Sequence, residues 1–451
     1  MMEKRLKIAF YGDDFTGSTD ALEFLNRSGI KTVLFIEVPT SAQLSRYGDL
    51  QAIGVAGMTR AQSPEEMENT LYPAFGALKA LNPAHVHYKV CSTFDSSPTV
   101  GSIGKAIDIG TEVFGVTTVP LLVAAPILGR YCLFGNLFAR MGIGSEGSIY
   151  RLDRHPSMRN HPITPAEESD LTLHLAKQTN KKVKLFNILE LQNYQQTRQS
   201  LPSLESDVVL FDALEQEDLK TIGEIVDQQS HEDSIVFSVG SSGIEMALGA
   251  HWEEGSMVNW PVIELKKSVL VISGSCSAVT SRQIKYALAN GFAEILIDTV
   301  SLANDIKDAD LLFDKIILET YVVPVLEFLT QGKSVIIHTS LGNDDPRVSA
   351  TDMIFKQKGI AKGSTAKLYG SLLGEIAKEV ARQTEIQRII IAGGDTSSYA
   401  ARAMGIEAVE MISPLTPGAP LCKAYAPGSA IDGLELVFKG GQVGKEDFFI
   451  N

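Results

Sequence analysis

Two adjacent carboxylates, Asp13 and Asp14, are the residues of this sequence best placed for chemistry, because they lie in a tight turn flanked by Gly12 and Gly17. Neighbouring carboxylates repel each other unless a partner neutralises them, and a substrate hydroxyl, a lysine or a hydrated Mg²⁺ could do so. The structural alternative is that one aspartate caps the helix that follows. A cap needs only one carboxylate, so the pair favours a binding or catalytic role.

A second polar segment spans residues 88–104 and combines a cation with hydroxyl groups, one carboxylate and a glycine-rich helix start. Lys89 ends a predicted strand, and the side chains that follow it include Ser92, Thr93 and Asp95. Hydroxyl groups beside a cation suit a polyhydroxy acid. The structural alternative is a loop in which serine and threonine side chains hydrogen-bond to the nearby backbone.

Three further turns are rich in glycine and small hydroxyl residues. Residues 272–277 read ISGSCS, residues 391–398 read IAGGDTSS, and residues 439–444 read KGGQVG. Small residues at the start of a helix leave backbone N–H groups free to bind an anion. For the first turn, a serine-capped connection from strand to helix is an equal alternative. Two glycine-rich turns after strands in one domain favour phosphate binding, and Asp395 could add a contact to an ion or a hydroxyl.

Other apparent motifs are set aside. Residues 142–147 fit GxGxxG, but no clear strand precedes them and no helix clearly follows, so the setting of a dinucleotide site is missing. The GxxxxGKS/T pattern of P-loop enzymes is absent from the sequence. His85 and His87 alternate along a predicted strand and could bind a metal, but a structural role is more common for such a pair. Residues 154–162 are dense in cations for an acidic protein, which a carboxylate ligand would explain.

The elements that position these segments alternate between short apolar runs and longer amphipathic ones. Strands are predicted at residues 6–10, 32–36, 52–56, 85–89, 208–211, 235–239, 269–272, 294–297, 335–338, 388–392 and 434–438. Helices are predicted at residues 64–81, 216–229, 279–290, 314–331, 366–383 and 398–404. This alternation predicts an α/β fold with mainly parallel sheets. Ligands of such sheets bind beyond the carboxyl ends of the strands, where the polar segments lie.

The chain is long enough for two domains. It has 451 residues, of which 44% are hydrophobic and 21% are charged, and each half can bury a core of its own. Residues 251–267 break the alternation and contain both tryptophans, Trp252 and Trp260. We interpret them as a junction between a domain at residues 1–250 and another at residues 268–451.

The charge and the cysteines narrow the class of function and the compartment. A formal net charge of −14 disfavours a nucleic-acid or membrane partner, since both need a basic face. The four cysteines form no CxxC pair and are predicted to be free thiols of a reducing cytosol. The longest apolar stretch, residues 116–128, is interrupted by Pro120 and Pro126 and is interpreted as a buried strand with its loop. We therefore expect a cytoplasmic protein.

Taken in order, the polar segments resemble the four-carbon acid sugar kinase family. The matching stretches are DDFTGSTD, YKVCSTFDSSPTVGSIG, MRNHPITPAEESDL, SGSCSAVTSRQ, AGGDTS, PGAP and KGGQVG with the later DFF. They run from residue 13 to residue 449 and so cover nearly the whole chain. The resemblance implies an N-terminal domain that binds the acid sugar, a C-terminal domain that binds ATP with Mg²⁺, and catalysis in the cleft between them.

The resemblance also implies roles for individual residues. Catalytic roles fall on Asp14, Lys89 and Asp95. Substrate-binding roles fall on Asp13, Arg60, Ser92, Thr93, Arg159 and His161. Nucleotide-binding roles fall on Ser273, Ser275, Gly393, Gly394, Asp395, Thr396, Gly440 and Gly441, with Asp395 also placing Mg²⁺. In phosphoryl transfer, Asp14 or Asp95 would orient or deprotonate the attacking hydroxyl, and Lys89 would hold the acid or the transferring phosphoryl group.

The family's substrates include erythronate, threonate and 3-oxo-tetronates and, in a related branch, 3-oxo-isoapionate. The turn KGGQVG, where a serine followed by glycine is common, and residues 150–156 depart from the tetronate kinases and leave the 3-oxo-isoapionate branch open. An NAD-dependent oxidoreductase is the enzymatic alternative, but it needs a strand-linked GxGxxG. A non-catalytic nucleotide-binding regulator is a second alternative, which polar loops in both halves disfavour. We also expect domain closure over the substrates, and a homo-oligomer remains open.

Overall fold

The structure is a computed structural model that describes residues 5–142, 146–161, 163–198, 206–231, 234–252, 258–305, 315–360 and 364–450, without the side chains of residues 315–317 and 364. The chain divides into two compact units, Met1–Asn259 and Trp260–Asn451. None of the described helices has both the length and the apolar character needed to cross a lipid bilayer.

The first unit is built on a parallel sheet. Its described strands are β1 (Ile8–Gly12), β2 (Thr32–Phe35), β3 (Ala52–Ala56), β4 (His85–Lys89), β5 (Val119–Leu122), β6 (Arg130–Leu133), β7 (Asn136–Arg140), β8 (Ile149–Arg151), β9 (Val183–Phe186), β10 (Val208–Phe211) and β11 (Val236–Gly240). Eight of them lie side by side in the order β2-β3-β1-β4-β11-β5-β10-β9, and every pair is parallel. Strands β6, β7 and β8 form a separate antiparallel sheet.

Helices connect the strands of this sheet and cover it. They are α1 (Phe15–Arg27), α2 (Ser41–Leu44), α3 (Pro64–Ala80), α4 (Ile103–Phe114), α5 (Leu171–Leu175), α6 (Ile188–Thr197), α7 (Gln216–Asp227) and α8 (Gly243–Trp252). Their ends follow local sequence rules. Helix α3 begins with a capping box between Ser63 and Glu66, and α4 ends at Gly115 with φ of 71°, a conformation that glycine adopts without strain.

The second unit repeats the same kind of architecture with an antiparallel edge. Its described strands are β12 (Leu270–Ser273), β13 (Ala293–Leu296), β14 (Val335–His338), β15 (Arg388–Ala392), β16 (Ala408–Thr416), β17 (Ala419–Tyr425) and β18 (Glu435–Lys439). They lie in the order β13-β14-β12-β15-β18-β17-β16, parallel from β13 to β18 and antiparallel beyond it. Its helices are α9 (Ala278–Ala289), α10 (Thr299–Asp305), α11 (Lys315–Thr330), α12 (Pro346–Gln357), α13 (Ser364–Gln383) and α14 (Gly394–Ala403).

In each sheet, successive strands are added first on one side of a central strand and then on its other side. In the first unit, β1 lies between β3 and β4, and in the second, β12 lies between β14 and β15. The loops that leave such a strand and its neighbour diverge, which opens a crevice at the carboxyl end of the sheet. The polar segments after β1, β3 and β4 and those after β12, β15 and β18 are therefore placed where ligands of α/β proteins bind.

The predicted α/β fold with mainly parallel sheets is confirmed, and most predicted strands and helices match to within a few residues. Two antiparallel regions were not predicted: the sheet of β6 to β8, and the pair β16 and β17. The expectation that no strand precedes residues 142–147 was wrong, because β7 ends just before them, although they lead to β8 and not to a helix. Residues 143–145 of that motif and residues 253–257 of the predicted junction lie outside the described residues.

Candidate functional site

In the first unit, a single arginine forms ion pairs with both adjacent carboxylates. The guanidinium of Arg60, just after β3, donates to both oxygens of Asp13 at 3.0 and 2.8 Å and to Oδ2 of Asp14 at 2.6 Å. Asp14 also caps α1, since its Oδ1 accepts from the backbone N–H of Gly17 at 2.8 Å. Both interpretations of the pair therefore have a counterpart in the structure, and the neutralising partner is an arginine.

The two aspartates differ in their environment. Burial would raise the pKa of Asp14, but Arg60, Lys89 and hydrogen bonds from Gly17 and Thr16 hold it below its usual range. Burial raises the pKa of Asp13 despite the opposing charge of Arg60. Because Asp14 is occupied by the helix cap and by Arg60, it is a poor acceptor for a substrate proton.

Lys89 lies against the same turn. Its side chain is only 1% exposed, and its Nζ lies 3.7 Å from Oδ2 of Asp20 in the second turn of α1. Gly17 makes this approach possible, because a Cβ there would lie 2.5 Å from Oδ1 of Asp14 and 2.6 Å from Nζ of Lys89. Burial raises the pKa of Asp20 to about 7, with Lys89 opposing the shift. The predicted residues Asp13, Asp14, Arg60 and Lys89 thus form one cluster, to which the structure adds Asp20.

A second missed residue, Arg130, begins β6. It is buried, and its Nη1 donates to the backbone carbonyls of Leu128 and Arg140 at 2.8 and 3.2 Å. Its Nε has no hydrogen-bond partner among the described residues. Burial lowers the pKa of Arg130, while Cys91, Asp95 and Asp20 oppose the shift, which places this cation near the acidic cluster.

Asp95 is also incompletely satisfied, since its Oδ1 is buried without a hydrogen-bond partner in the part of the chain that the structure describes. Asp95 and Thr93 line a small cavity of about 10 Å³ together with Thr164 and His174, which leaves room for about one water. Ser92 is buried close by in sequence. An unsatisfied carboxylate oxygen beside a cavity is what a hydroxyl-bearing ligand or a water would complete.

The predicted loop residues Arg159 and His161 are placed less favourably. Arg159 is exposed. Nδ1 of His161 lies 3.0 Å from Oγ1 of Thr164. Thr164 lines the cavity beside Asp95, so His161 contacts a residue of the cavity wall. Within the described ranges, no hydrogen bond joins either residue to the cluster of Arg60.

The histidines of β4 have structural partners. Nε2 of His85 lies 2.8 Å from Oδ1 of Asp227, and Nε2 of His87 lies 3.1 Å from the carbonyl oxygen of Gly240. Nδ1 of His87 also lies 3.2 Å from Oε1 of the fully buried Glu245. No group of three or more metal-binding side chains occurs among the described residues. These contacts agree with the structural role that the sequence analysis favoured for His85 and His87.

In the second unit, three turns meet at the carboxyl end of the sheet: residues 273–277 after β12, 393–396 after β15 and 440–441 after β18. A Cβ at Gly274 would lie 2.2 Å from Oγ1 of Thr396, and one at Gly441 would lie 3.1 Å from Oγ of Ser275. Gly393 adopts φ of +126° beside the backbone nitrogen of Ser275. Glycine at positions 274 and 393 therefore avoids a clash where the turns touch, and the predicted nucleotide-binding residues are brought together.

The groups offered by these turns suit an anion. Ser273, Ser275 and Thr396 are buried hydroxyl residues, and Gly394 begins α14 with Asp395 exposed in its first turn. Free N–H groups at a helix start and small hydroxyl side chains can hold phosphate oxygens. Mg²⁺ in phosphate sites commonly uses one or two carboxylates together with the phosphates, so Asp395 fits that ion as its single protein carboxylate.

A buried lysine lies beneath the same turns. Lys439 ends β18, and its Nζ donates to Oγ1 of Thr280 and to the carbonyl oxygen of Gly440, both at 3.0 Å. Burial lowers the pKa of Lys439 to about 7. Sequence reasoning named the glycines of KGGQVG and overlooked the lysine before them.

Two family models match the chain, a sugar-binding N-terminal domain over residues 8–248 and a nucleotide-binding C-terminal domain over residues 270–449. A 3-oxo-isoapionate kinase from Paraburkholderia graminis is 41% identical over 450 residues, which cover 98% of this chain and 93% of that protein. The chain belongs to the four-carbon acid sugar kinase family. The resemblance noted in the sequence is thereby confirmed.

Other members of the four-carbon acid sugar kinase family are more distant. A 3-oxo-tetronate kinase from Pectobacterium atrosepticum is 27% identical, with 98% of each chain covered. A crystal structure from Salmonella typhimurium LT2, provisionally described as a tRNA synthase, has a TM-score of 0.74 at 26% identity, and the match covers 98% of each chain. The fold described above is therefore shared with a solved structure over nearly its full length.

Proposed function

We propose that this chain transfers a phosphoryl group from ATP to a hydroxyl of a 3-oxo acid sugar, and that 3-oxo-isoapionate is the first substrate to test. The observation that carries the choice of substrate is the identity of 41% to a 3-oxo-isoapionate kinase, against 25 to 27% for 3-oxo-tetronate kinases. Identity spread over nearly the whole of both chains supports a shared reaction more strongly than a shared fold does.

The nucleotide is proposed to bind the second unit. The turns after β12, β15 and β18 provide N–H groups and hydroxyls, and a Cβ at Gly274 or Gly393 would clash with Thr396. We assign the phosphates to Ser275, Thr396 and the turn of Gly440 and Gly441, and Mg²⁺ to Asp395. Bound Mg²⁺ would neutralise phosphate charge, and the chain's own residues would orient the nucleotide.

The acid is proposed to bind the first unit. Arg60 is already paired with Asp13 and Asp14, so its charge is not available for a third carboxylate. Arg130 is buried and donates its hydrogen bonds only to backbone carbonyls within the described residues. We therefore assign the carboxylate of the acid sugar to Arg130. A bidentate pair of guanidinium and carboxylate would also orient the substrate.

The proton of the attacking hydroxyl needs an acceptor. Asp14 is excluded by its cap and by its lowered pKa. Asp20, with a pKa near 7, and Asp95, with an unsatisfied oxygen, remain. A base whose pKa lies near the working pH is the most effective, which favours Asp20, and we assign Asp95 to hold the hydroxyl. Lys89 would then stabilise charge on the transferring group.

A substrate panel tests the proposed function. ADP formation is measured with MgATP and, in turn, 3-oxo-isoapionate, 3-oxo-tetronates, threonate and erythronate. We expect kcat/KM for 3-oxo-isoapionate to exceed that for each four-carbon acid by at least about 10-fold, because a pocket shaped for one acid loses contacts with another. Higher kcat/KM for a four-carbon acid would contradict the substrate assignment, and no ADP formation with any acid would contradict the kinase assignment.

A further inference from the structure

Lys439 is a buried cation whose contacts are uncharged. Its side chain is fully buried, and its Nζ donates to the hydroxyl of Thr280 and to the carbonyl oxygen of Gly440. The ring of Phe448 lies 5.8 Å from Nζ. No carboxylate of the described residues forms an ion pair with it. Lys89, the other fully buried lysine of the described chain, has Asp20 at 3.7 Å.

An ammonium group that is removed from water without an anion is strongly disfavoured, and a protein usually pairs it or neutralises it. Here the pKa of Lys439 falls to about 7 with burial as the cause. A bound anion would supply the opposite charge that the ammonium form lacks among the described residues, and would favour that charged form.

The position of Lys439 indicates which anion would supply that charge. Its backbone carbonyl accepts from the N–H of Gly393 at 2.9 Å, so it supports the turn after β15. Thr280, which binds its Nζ, also donates to the carbonyl oxygen of Gly441 at 3.2 Å. Ser277, the cap of α9 in the turn after β12, donates to the same carbonyl. Lys439 thus lies where all three anion-binding turns are held together.

We propose that Lys439 binds a phosphate group of the nucleotide and supplies the positive charge of this site. The proposal rests on the proposed binding of ATP to the second unit and goes further by naming the cation that recognises the phosphates. Two of the three donors of the ammonium group bind Thr280 and Gly440, and the third has no hydrogen-bond partner among the described residues. The alternative is that Lys439 only braces the turns.

Calorimetric titration with ADP and with adenosine separates phosphate recognition from bracing. We expect Lys439→Met to weaken ADP binding by about 10- to 100-fold, the size of a lost charge-assisted hydrogen bond, and to leave adenosine binding within about 2-fold. The matched control is Lys445→Met, which removes an exposed lysine of the same loop and should keep both affinities. If Lys439 only holds the turns together, Lys439→Met should instead weaken the binding of ADP and of adenosine to the same extent.

The outcomes are distinguishable. Folded Lys439→Met protein that binds ADP as the wild type does would overturn the role of Lys439 and leave the kinase proposal intact. Wild-type protein that binds neither ADP nor ATP would contradict both proposals. Lys439→Gln serves as a second variant, and failure of both variants to fold, seen by circular dichroism, would assign Lys439 to bracing and so contradict phosphate recognition.

Discussion

The two candidate sites both lie at the carboxyl edge of a parallel sheet, yet they balance charge in opposite ways. In the cluster of the first unit, Arg60 pairs with two aspartates and Lys89 lies near Asp20, so the charges of this cluster meet opposite charges. In the second unit, Nζ of Lys439 donates to the hydroxyl of Thr280 and to the carbonyl oxygen of Gly440, and its contacts among the described residues are neutral. A site with paired charges can position a ligand, whereas a site with an unpaired cation gains most when an anion binds. Substitutions in the cluster of Arg60 and Lys89 should therefore act mainly on turnover, and substitutions around Lys439 should act mainly on phosphate affinity.

The largest effect is expected at Gly17. In Gly17→Ala, the new methyl group would collide with Oδ1 of Asp14 and Nζ of Lys89, which must move apart. Displacement of a positioned group by about 1 Å can cost about 100-fold, and we expect a loss of at least that size in kcat for the acid sugar. Steady-state measurement of ADP formation checks this.

The matched control for that variant is Gly76→Ala, at an exposed position of helix α3, where nothing lies within 4 Å of the added methyl group. Alanine favours a helix over glycine by about 1 kcal/mol, so Gly76→Ala should be at least as stable and fully active. Equal activity of the two variants would contradict the paired-charge description of the first site.

Arg130→Met should raise the KM for the acid sugar by about 10- to 100-fold, because a charge-assisted hydrogen bond to its carboxylate is lost. The KM for ATP should stay unchanged, since the nucleotide is assigned to the second unit. Arg159→Met is the control, because Arg159 was predicted at the acid from sequence but is exposed. A folded Arg130 variant with an unchanged KM for the acid would exclude this residue, and a large effect at Arg159 alone would restore the sequence prediction.

Asp395→Ala should raise the Mg²⁺ concentration needed for half-maximal turnover by about 10-fold, a modest effect because the phosphates supply most of the ligands. Binding of the acid should be unaffected. Titration with ADP in the absence of Mg²⁺ is the control, and variant and wild type should then bind alike. An identical Mg²⁺ requirement in the two proteins would remove Asp395 from the metal site.

The last prediction concerns stability and Glu245, which is fully buried beside His87. Burial raises the pKa of Glu245 to about 8 from the usual 4.5. The folded protein therefore keeps a proton that the unfolded chain has lost, so this group stabilises the fold at low pH and its contribution disappears as the pH rises towards 8. Between the two pKa values, 4.5 and about 8, the free energy of unfolding falls by up to about 1.4 kcal/mol per pH unit.

Glu245→Gln stays neutral and should flatten this part of the pH dependence of the free energy of unfolding, measured by urea denaturation. The exposed Glu446→Gln is the control and should follow the wild type. Parallel curves for wild type and Glu245→Gln would mean that Glu245 is already ionised in the folded protein.

Much of the fold was predictable because strand and helix periodicity is a local property of the sequence. Strands at 52–56, 85–89, 335–338 and 388–392 were placed correctly, and the rule that ligands bind after strands directed attention to loops that the structure places at the carboxyl ends of strands. The antiparallel sheet of β6 to β8 was missed because its strands are short and only partly buried, so their apolar pattern is weak.

The charged residues of the sites were harder to predict. Arg60 lies 47 positions from Asp13, and nothing in the sequence shows that one guanidinium serves two carboxylates. Asp20 was visible in DDFTGSTD, but its importance depends on burial beside Lys89. Arg130 and Lys439 stand out only because the fold buries them without an opposite charge. Burial and missing partners are properties of the folded chain. In the sequence, the strongest indication of either residue is a cation at the end of a strand.

The most direct test of the account is phosphorus NMR of a reaction that contains the protein, MgATP and 3-oxo-isoapionate. We predict that the β- and γ-phosphate signals of ATP are replaced by those of ADP and by one phosphomonoester signal, in equal amounts, because the phosphoryl group is transferred to a hydroxyl of the acid. Inorganic phosphate as the only new product, or an unchanged ATP spectrum with active and folded protein, would contradict it.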